Sequence, residues 1–290
     1  MCDQHFEDDL KKYVTQSAMT RRQFGALVGV GVAMLLPRAA DALDVKESEV
    51  NVKTPDGTAD CYFVHPATGA YAGVVVWPDI LGLRPAFRQM GKRLAESGYS
   101  VLVVNPFYRQ KHAPVVPPGA SFADDATRNT VMPLAQALNA TTHVTDAKAF
   151  VAFLDSQPAV NKNKKIGTTG YCMGGPIVMR TAAAVPDRVG AGASFHGGGL
   201  VTKQPDSPHL LVPNMKAQFL FAIAENDDQR EPESKTVLRD TFAKAKLATE
   251  IEVYSGAAHG WCPPDSQVYN QAQAERAWSR LLVLFQKALA

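Results

Sequence analysis

The stretch Gly170-Tyr171-Cys172-Met173-Gly174-Gly175 constrains this chain most. A β-branched run ending Lys165-Ile166-Gly167-Thr168-Thr169 leads into it, and the apolar helical pattern of Ile177, Val178, Ala182 and Ala183 leads out. A strand must therefore turn sharply into a helix at Cys172. In a nucleophile elbow the reactive residue sits on a strained turn, and flanking glycines let neighbouring backbone approach without a Cβ collision. The helix starting there offers free N–H groups and a partial positive charge, which favour thiolate over thiol and can hold a developing oxyanion. The competing reading is a small buried hydrophobe on an ordinary strand-to-helix turn, since free cysteine is among the most buried residue types. Glycines at 170, 174 and 175 together favour the elbow.

Such a nucleophile needs a base and a group that orients the base. The chain supplies both in the order nucleophile, acid, histidine that α/β-hydrolases use. Gln218 to Ala224 is the near-continuous apolar run of a strand buried on both faces, and it ends in Glu225-Asn226-Asp227-Asp228. Carboxylates thus stand at a strand's carboxyl end, where open α/β sheets place their sites. Asp227 is preferred as the acid for its closeness to the strand end, with Asp228 left as an alternative or as a helix cap before Ser234. Ile251-Glu252-Val253-Tyr254 alternates as a further strand, and the glycine-flanked loop after it carries His259. His259 would take the Cys172 proton while Asp227 fixes its tautomer. Among the other histidines, His196 ranks second because it ends the apolar strand 190–195.

These motifs resemble the dienelactone hydrolase family of α/β-hydrolases. The resemblance rests on Gly-x-Cys-x-Gly-Gly at 170–175, Asp227, and His259 before a Gly-aromatic pair. Further matches are Val74-Val75-Val76 entering Trp77-Pro78-Asp79-Ile80-Leu81-Gly82-Leu83, Arg93-Leu94-Ala95-Glu96-Ser97-Gly98-Tyr99, the run from Val101 to Val104, and Tyr108-Arg109-Gln110. It spans about residue 48 to the C-terminus. The resemblance implies hydrolysis of an ester or lactone through an acyl-enzyme, without metal or organic cofactor. It also implies an oxyanion hole of the Met173 and Ile80 N–H groups, with Asp79 and Arg109 facing the substrate.

Two departures from the family pattern matter. Well-studied members carry a glutamate that pairs with the resting thiol until substrate binds, and the shorter Asp79 stands in its place. They also hold a substrate carboxylate with two arginines; Arg109 matches one, but Pro263 stands where the second would be. Two other readings stay open: a non-catalytic binding protein on a hydrolase scaffold, and a hydrolase of thioester or peptide bonds.

At the other end, Thr20-Arg21-Arg22-Gln23-Phe24 precedes an uncharged apolar stretch from Gly25 to Leu36, then Pro37 and Ala40-Asp41-Ala42. This pattern resembles a twin-arginine export signal ending in an Ala-x-Ala cleavage site. The stretch is shorter than the roughly twenty residues of a spanning helix, so no stable membrane anchor is expected. The expected product is residues 43–290, a single domain, exported by the twin-arginine machinery to the periplasm or beyond. Translation from Met19 would give a shorter leader. An oxidising compartment would allow Cys61 and Cys262 to bridge and leave Cys172 as a thiol.

The net charge is +2, and removing residues 1–42 takes five basic and five acidic residues and leaves it unchanged. No nucleic acid or other polyanion partner is implied. Strands are expected near 49–53, 59–65, 73–77, 100–105, 165–169, 190–195, 218–224 and 250–254. Helices are expected at 85–97, 144–156, 173–185, 234–246 and 267–289. Their alternation predicts an α/β fold with a mostly parallel sheet of about eight strands, an antiparallel start and helices on both faces. The Pro-containing segment 106–142 is expected to be an irregular wall or partial lid of the substrate pocket. Phe107, Tyr108, Trp261 and Phe195 are expected near the cleft and the substrate, with core packing the preferred task of Phe195.

Overall fold

Runs such as Val74-Val75-Val76 and Val101 to Val104 can be buried on both sides only if a sheet is covered on both faces, and this requirement organises the molecule. A computed structural model describes Leu36 and residues 42–290. The twin-arginine pair, the apolar stretch up to residue 35 and most of the expected cleavage region lie outside the described residues.

Eight strands form one sheet in the order β1-β2-β4-β3-β5-β6-β7-β8. They are β1 Val45–Thr54, β2 Gly57–Pro66, β3 Ala72–Trp77, β4 Tyr99–Val104, β5 Ile166–Tyr171, β6 Val189–Phe195, β7 Gln218–Ala224 and β8 Thr249–Tyr254. The pairings β1·β2 and β2·β4 are antiparallel and all others parallel, matching the expected antiparallel start. The helices are α1 Pro85–Glu96, α2 Asp125–Gln136, α3 Ala140–Ser156, α4 Gly174–Ala184, α5 Glu225–Arg230, α6 Ser234–Lys244 and α7 Gln271–Ala288. No described helix is long and apolar enough to cross a membrane.

The period-two alternation of the strands divides the core. Cys61, Phe63, Val75, Trp77, Leu102 and Val104 face α3, α4 and α6 through Phe150, Leu154, Ile177 and Phe242. Tyr62, Val64, Val74, Val76, Val101 and Val103 face α1 and α7 through Phe87, Leu94, Leu281 and Phe285. Helix α1 shows why its sequence is helical: Pro85 opens it and Phe87, Met90 and Leu94 fall on one face. The same division corrects the disulfide expectation. Cys61 and Cys262 are buried thiols in the two separate clusters, with the sheet between them.

The segment after β4 also differs from its expectation. It contains α2 and the opening of α3, whose Asn139 cap accepts from the Thr141 and Thr142 N–H groups. Pro133 lies inside α2 and, as a helix breaker, hid it in the sequence, yet Thr127, Val131 and Leu134 keep one buried face. With Phe107, Val115 and Val116 that face forms a third apolar cluster, which holds Ile80 and packs against Met173.

Candidate active site

Cys172 follows β5 at φ +51°, a left-handed conformation costly for a side chain with a Cβ. Its N–H donates to the Phe195 carbonyl at 3.0 Å and its carbonyl accepts from the Gly175 N–H at 3.0 Å, which fixes the turn. The flanking glycines are required sterically. A Cβ at 170 would lie 2.3 Å from the Gly174 oxygen, and one at 174 would lie 2.4 Å from the Trp77 oxygen. That second approach presses the elbow onto the end of β3, so the loop 78–83 lies beside the cysteine. Neither the Met173 nor the Ile80 N–H meets an acceptor among the described residues.

The acidic cluster after β7 forms α5, and each carboxylate there has its own partner. Glu225 accepts from the Gly256 N–H at 3.0 Å and pins the loop after β8. Asp228 takes both of its bonds from Lys235, at 2.6 and 2.7 Å. Asp227 points to the histidine, with its Oδ2 2.7 Å from Nδ1 of His259. The His259 backbone N–H donates to Oδ1 of the buried Asn226 at 2.8 Å, a support within the same acidic cluster that a search for carboxylates overlooks. Burial opposes a charge on His259, but the Asp227 carboxylate and the hydrogen-bonded Cys172 sulfur outweigh it and hold its pKa well above the ordinary value. The structure therefore brings Cys172, His259 and Asp227 into one chain of contacts and leaves Asp228 out of it.

His196 stands behind this group at φ +40°, fully buried. Its ring lies edge-on to those of His259 and Trp261, each at 5.1 Å between centroids. Burial, then the charge on His259, keeps it neutral, and its ring nitrogens meet no partner among the described residues.

The three residues expected to face the substrate are placed differently. Trp261 is fully buried, stacked on Tyr254 and set beneath His196, so it presents no surface to a ligand. Arg109 turns toward the β1–β2 connection and α3. It donates to Asp56 and to both oxygens of the buried Asp146, and lies over Tyr108. Asp79 is held by Arg84 through two bonds of 2.6 and 3.0 Å and accepts from the Leu81 N–H at 2.9 Å. Arg84 is itself buried and grips Asp265 with two more bonds, of 2.7 and 3.0 Å. Sequence reasoning missed Arg84, because its partner Asp265 lies far along the chain and only the fold joins them.

Comparison with known proteins agrees with this architecture. A carboxymethylenebutenolidase of Rhodococcus opacus is 27% identical over 244 residues, covering 82% of this chain and 90% of the relative. In structure the chain resembles the dienelactone hydrolase of Anabaena variabilis, with a TM-score of 0.62 at 16% identity over 85% of this chain and 99% of the other. It also resembles a dienelactone hydrolase-like promiscuous phosphotriesterase from metagenomic libraries, with a TM-score of 0.70 at 20% identity over 85% of this chain and 99% of the other. The profile of the dienelactone hydrolase family matches residues 59–289, and with this fold the chain belongs to that family.

Proposed function

We propose that the protein hydrolyses a small ester or lactone through an acyl-enzyme on Cys172, with His259 as proton carrier and Asp227 as its orienting acid. The carrying observation is the strained elbow at Cys172, where an imidazole held by Asp227 meets the thiol. With the thiol's proton on His259, the thiolate attacks the carbonyl carbon; a C–S bond forms and the π electrons move to oxygen. The unpartnered Met173 and Ile80 N–H groups would hold that oxyanion. Collapse breaks the C–O bond to the alcohol portion, and His259 gives its proton to the departing alkoxide. Neutral His259 then takes a proton from water as the hydroxide adds to the thioester. The second collapse releases the acid and restores the thiolate beside a charged His259.

The Rhodococcus relative is named a carboxymethylenebutenolidase, and the family resemblance implies two arginines for a substrate carboxylate. Here Arg109 is committed to Asp56 and Asp146, and Pro263 stands in place of a second arginine. An uncharged ester or lactone suits this site better than a dienelactone carboxylate. Cys172→Ala should lower p-nitrophenyl acetate hydrolysis by on the order of 10⁴-fold or more with the circular dichroism spectrum retained; unchanged turnover by that variant would remove the mechanism.

Export belongs to the same proposal, supported by Arg21-Arg22 and the Ala40-Asp41-Ala42 site. Replacing both arginines with lysine should retain the full-length precursor inside the cell. Periplasmic protein beginning at Leu43 despite that change would refute the twin-arginine route.

A further inference from the structure

We infer that Arg84 is a positioning residue for the Ile80 N–H, its guanidinium locking the loop that carries Ile80 to the loop that follows His259. The inference rests on the reading of Cys172 as nucleophile and Ile80 as oxyanion donor. Asp79 immediately precedes Ile80, and both of its carboxylate oxygens take a bond from Arg84, whose Nη1 also reaches the Gly82 carbonyl at 3.3 Å. The other edge of the same guanidinium engages both oxygens of Asp265. Arg84 caps α1 through its backbone and lies over Phe87 at 4.9 Å, so the fork is held from below by a helix.

Placement argues for more than stability. The Arg84 side chain is 7% exposed and that of Asp79 13%, and a buried ion cluster of this kind is a weak stabiliser that apolar side chains can replace. Its distinctive property is fixed planar geometry, which a bidentate guanidinium imposes on two carboxylates at once. That geometry is spent on the loop 79–83. His259 has anchors of its own in Asn226, Asp227 and the Glu225-pinned loop. Releasing Arg84 therefore loosens the oxyanion donor and leaves the thiol and imidazole in place. Asp79, occupied in this way, takes a different part from the family glutamate that pairs with the resting thiol.

The test separates oxyanion stabilisation from thiol reactivity. Arg84→Ala should lower kcat for p-nitrophenyl acetate about 10- to 100-fold, the scale of a misplacement near 1 Å, with KM within about threefold. Alkylation of Cys172 by iodoacetamide, which needs no oxyanion hole, should proceed within about twofold of the wild-type rate. Added guanidinium ion should restore part of the lost turnover, whereas Arg84→Lys, a point charge unable to fork two carboxylates, should stay low. If Arg84→Ala does not fold, Asp265→Asn carries the test, because it alters only the more exposed partner; a several-fold loss of kcat with unchanged alkylation is expected. Turnover within about twofold of wild type in the folded variant, or alkylation falling in step with turnover, overturns the inference. Ester hydrolysis surviving Cys172→Ala would instead overturn the reading beneath it.

Discussion

Two aspartates stand at the same edge of the sheet, Asp227 after β7 and Asp79 after β3, and their partners differ in kind. Asp227 lies 2.7 Å from an imidazole and holds that ring's charge. Asp79 lies 2.6 Å from a buried guanidinium that already carries a permanent charge, so its carboxylate orders backbone. A carboxylate at a strand end is thus defined by its partner. In the proposed mechanism the neighbour that can exchange a proton gives Asp227 a chemical part, and the neighbour that cannot leaves Asp79 a brace.

The largest effect that could break this contrast is on turnover. Asp227→Asn should lower kcat for p-nitrophenyl acetate by about 10⁴-fold, because an amide can stabilise the wrong imidazole tautomer and carries no charge for the imidazolium. A loss below tenfold would mean Asp227 is a brace as well. Asp79→Ala should act first on stability. It leaves the buried guanidinium half paired, and chemical denaturation should show a loss of about 3 kcal/mol. A stability loss below about 0.5 kcal/mol would show that the fork is not needed.

The histidines extend the comparison to pH. The folded-state pKa of His143 is pushed down to about 3 by burial and by Arg180 and Arg109, while that of His259 is raised. Below about 6.5 the unfolded chain binds a proton at residue 143 that the folded chain refuses, so stability falls as pH drops toward 3. The slope from this residue is about 1.4 kcal/mol per pH unit. His196 adds to the slope in the same direction, and His259 is flat there, because its contribution is complete below the unfolded value and declines only at higher pH. His143→Leu should flatten the fall measured by urea unfolding between pH 6 and 4; an unaltered slope would refute a neutral buried imidazole at 143. The smallest effect belongs to Asp228→Asn, which loses a partly exposed pair with Lys235 and should cost about 1 kcal/mol or less, with kcat within about twofold. A large loss of kcat would transfer the acid's task from Asp227.

The sequence disclosed strands more readily than contacts. Parallel strands such as β3 and β7 are buried on both faces, so their apolar runs could be read directly. Helix α2 was hidden because Pro133 breaks the pattern that its buried face keeps. At the candidate site, strand-end order was enough to place Cys172, Asp227 and His259 at one edge, since parallel strands put all their carboxyl ends on the same side. Pairing was not legible. Arg84 meets Asp265, and Arg109 meets Asp56 and Asp146, across distances in the chain that only the folded sheet closes. Trp261 read as a cleft aromatic because it follows His259 closely, yet the turn of that loop sends its ring into the core.

The most direct measurement is the mass of the enzyme quenched in acid within milliseconds of mixing with p-nitrophenyl acetate. One added acetyl group, mapped by peptide fragmentation to Cys172 and absent from the Cys172→Ala variant, is the predicted result. Ester turnover at the wild-type rate with Cys172 unmodified throughout would contradict the account.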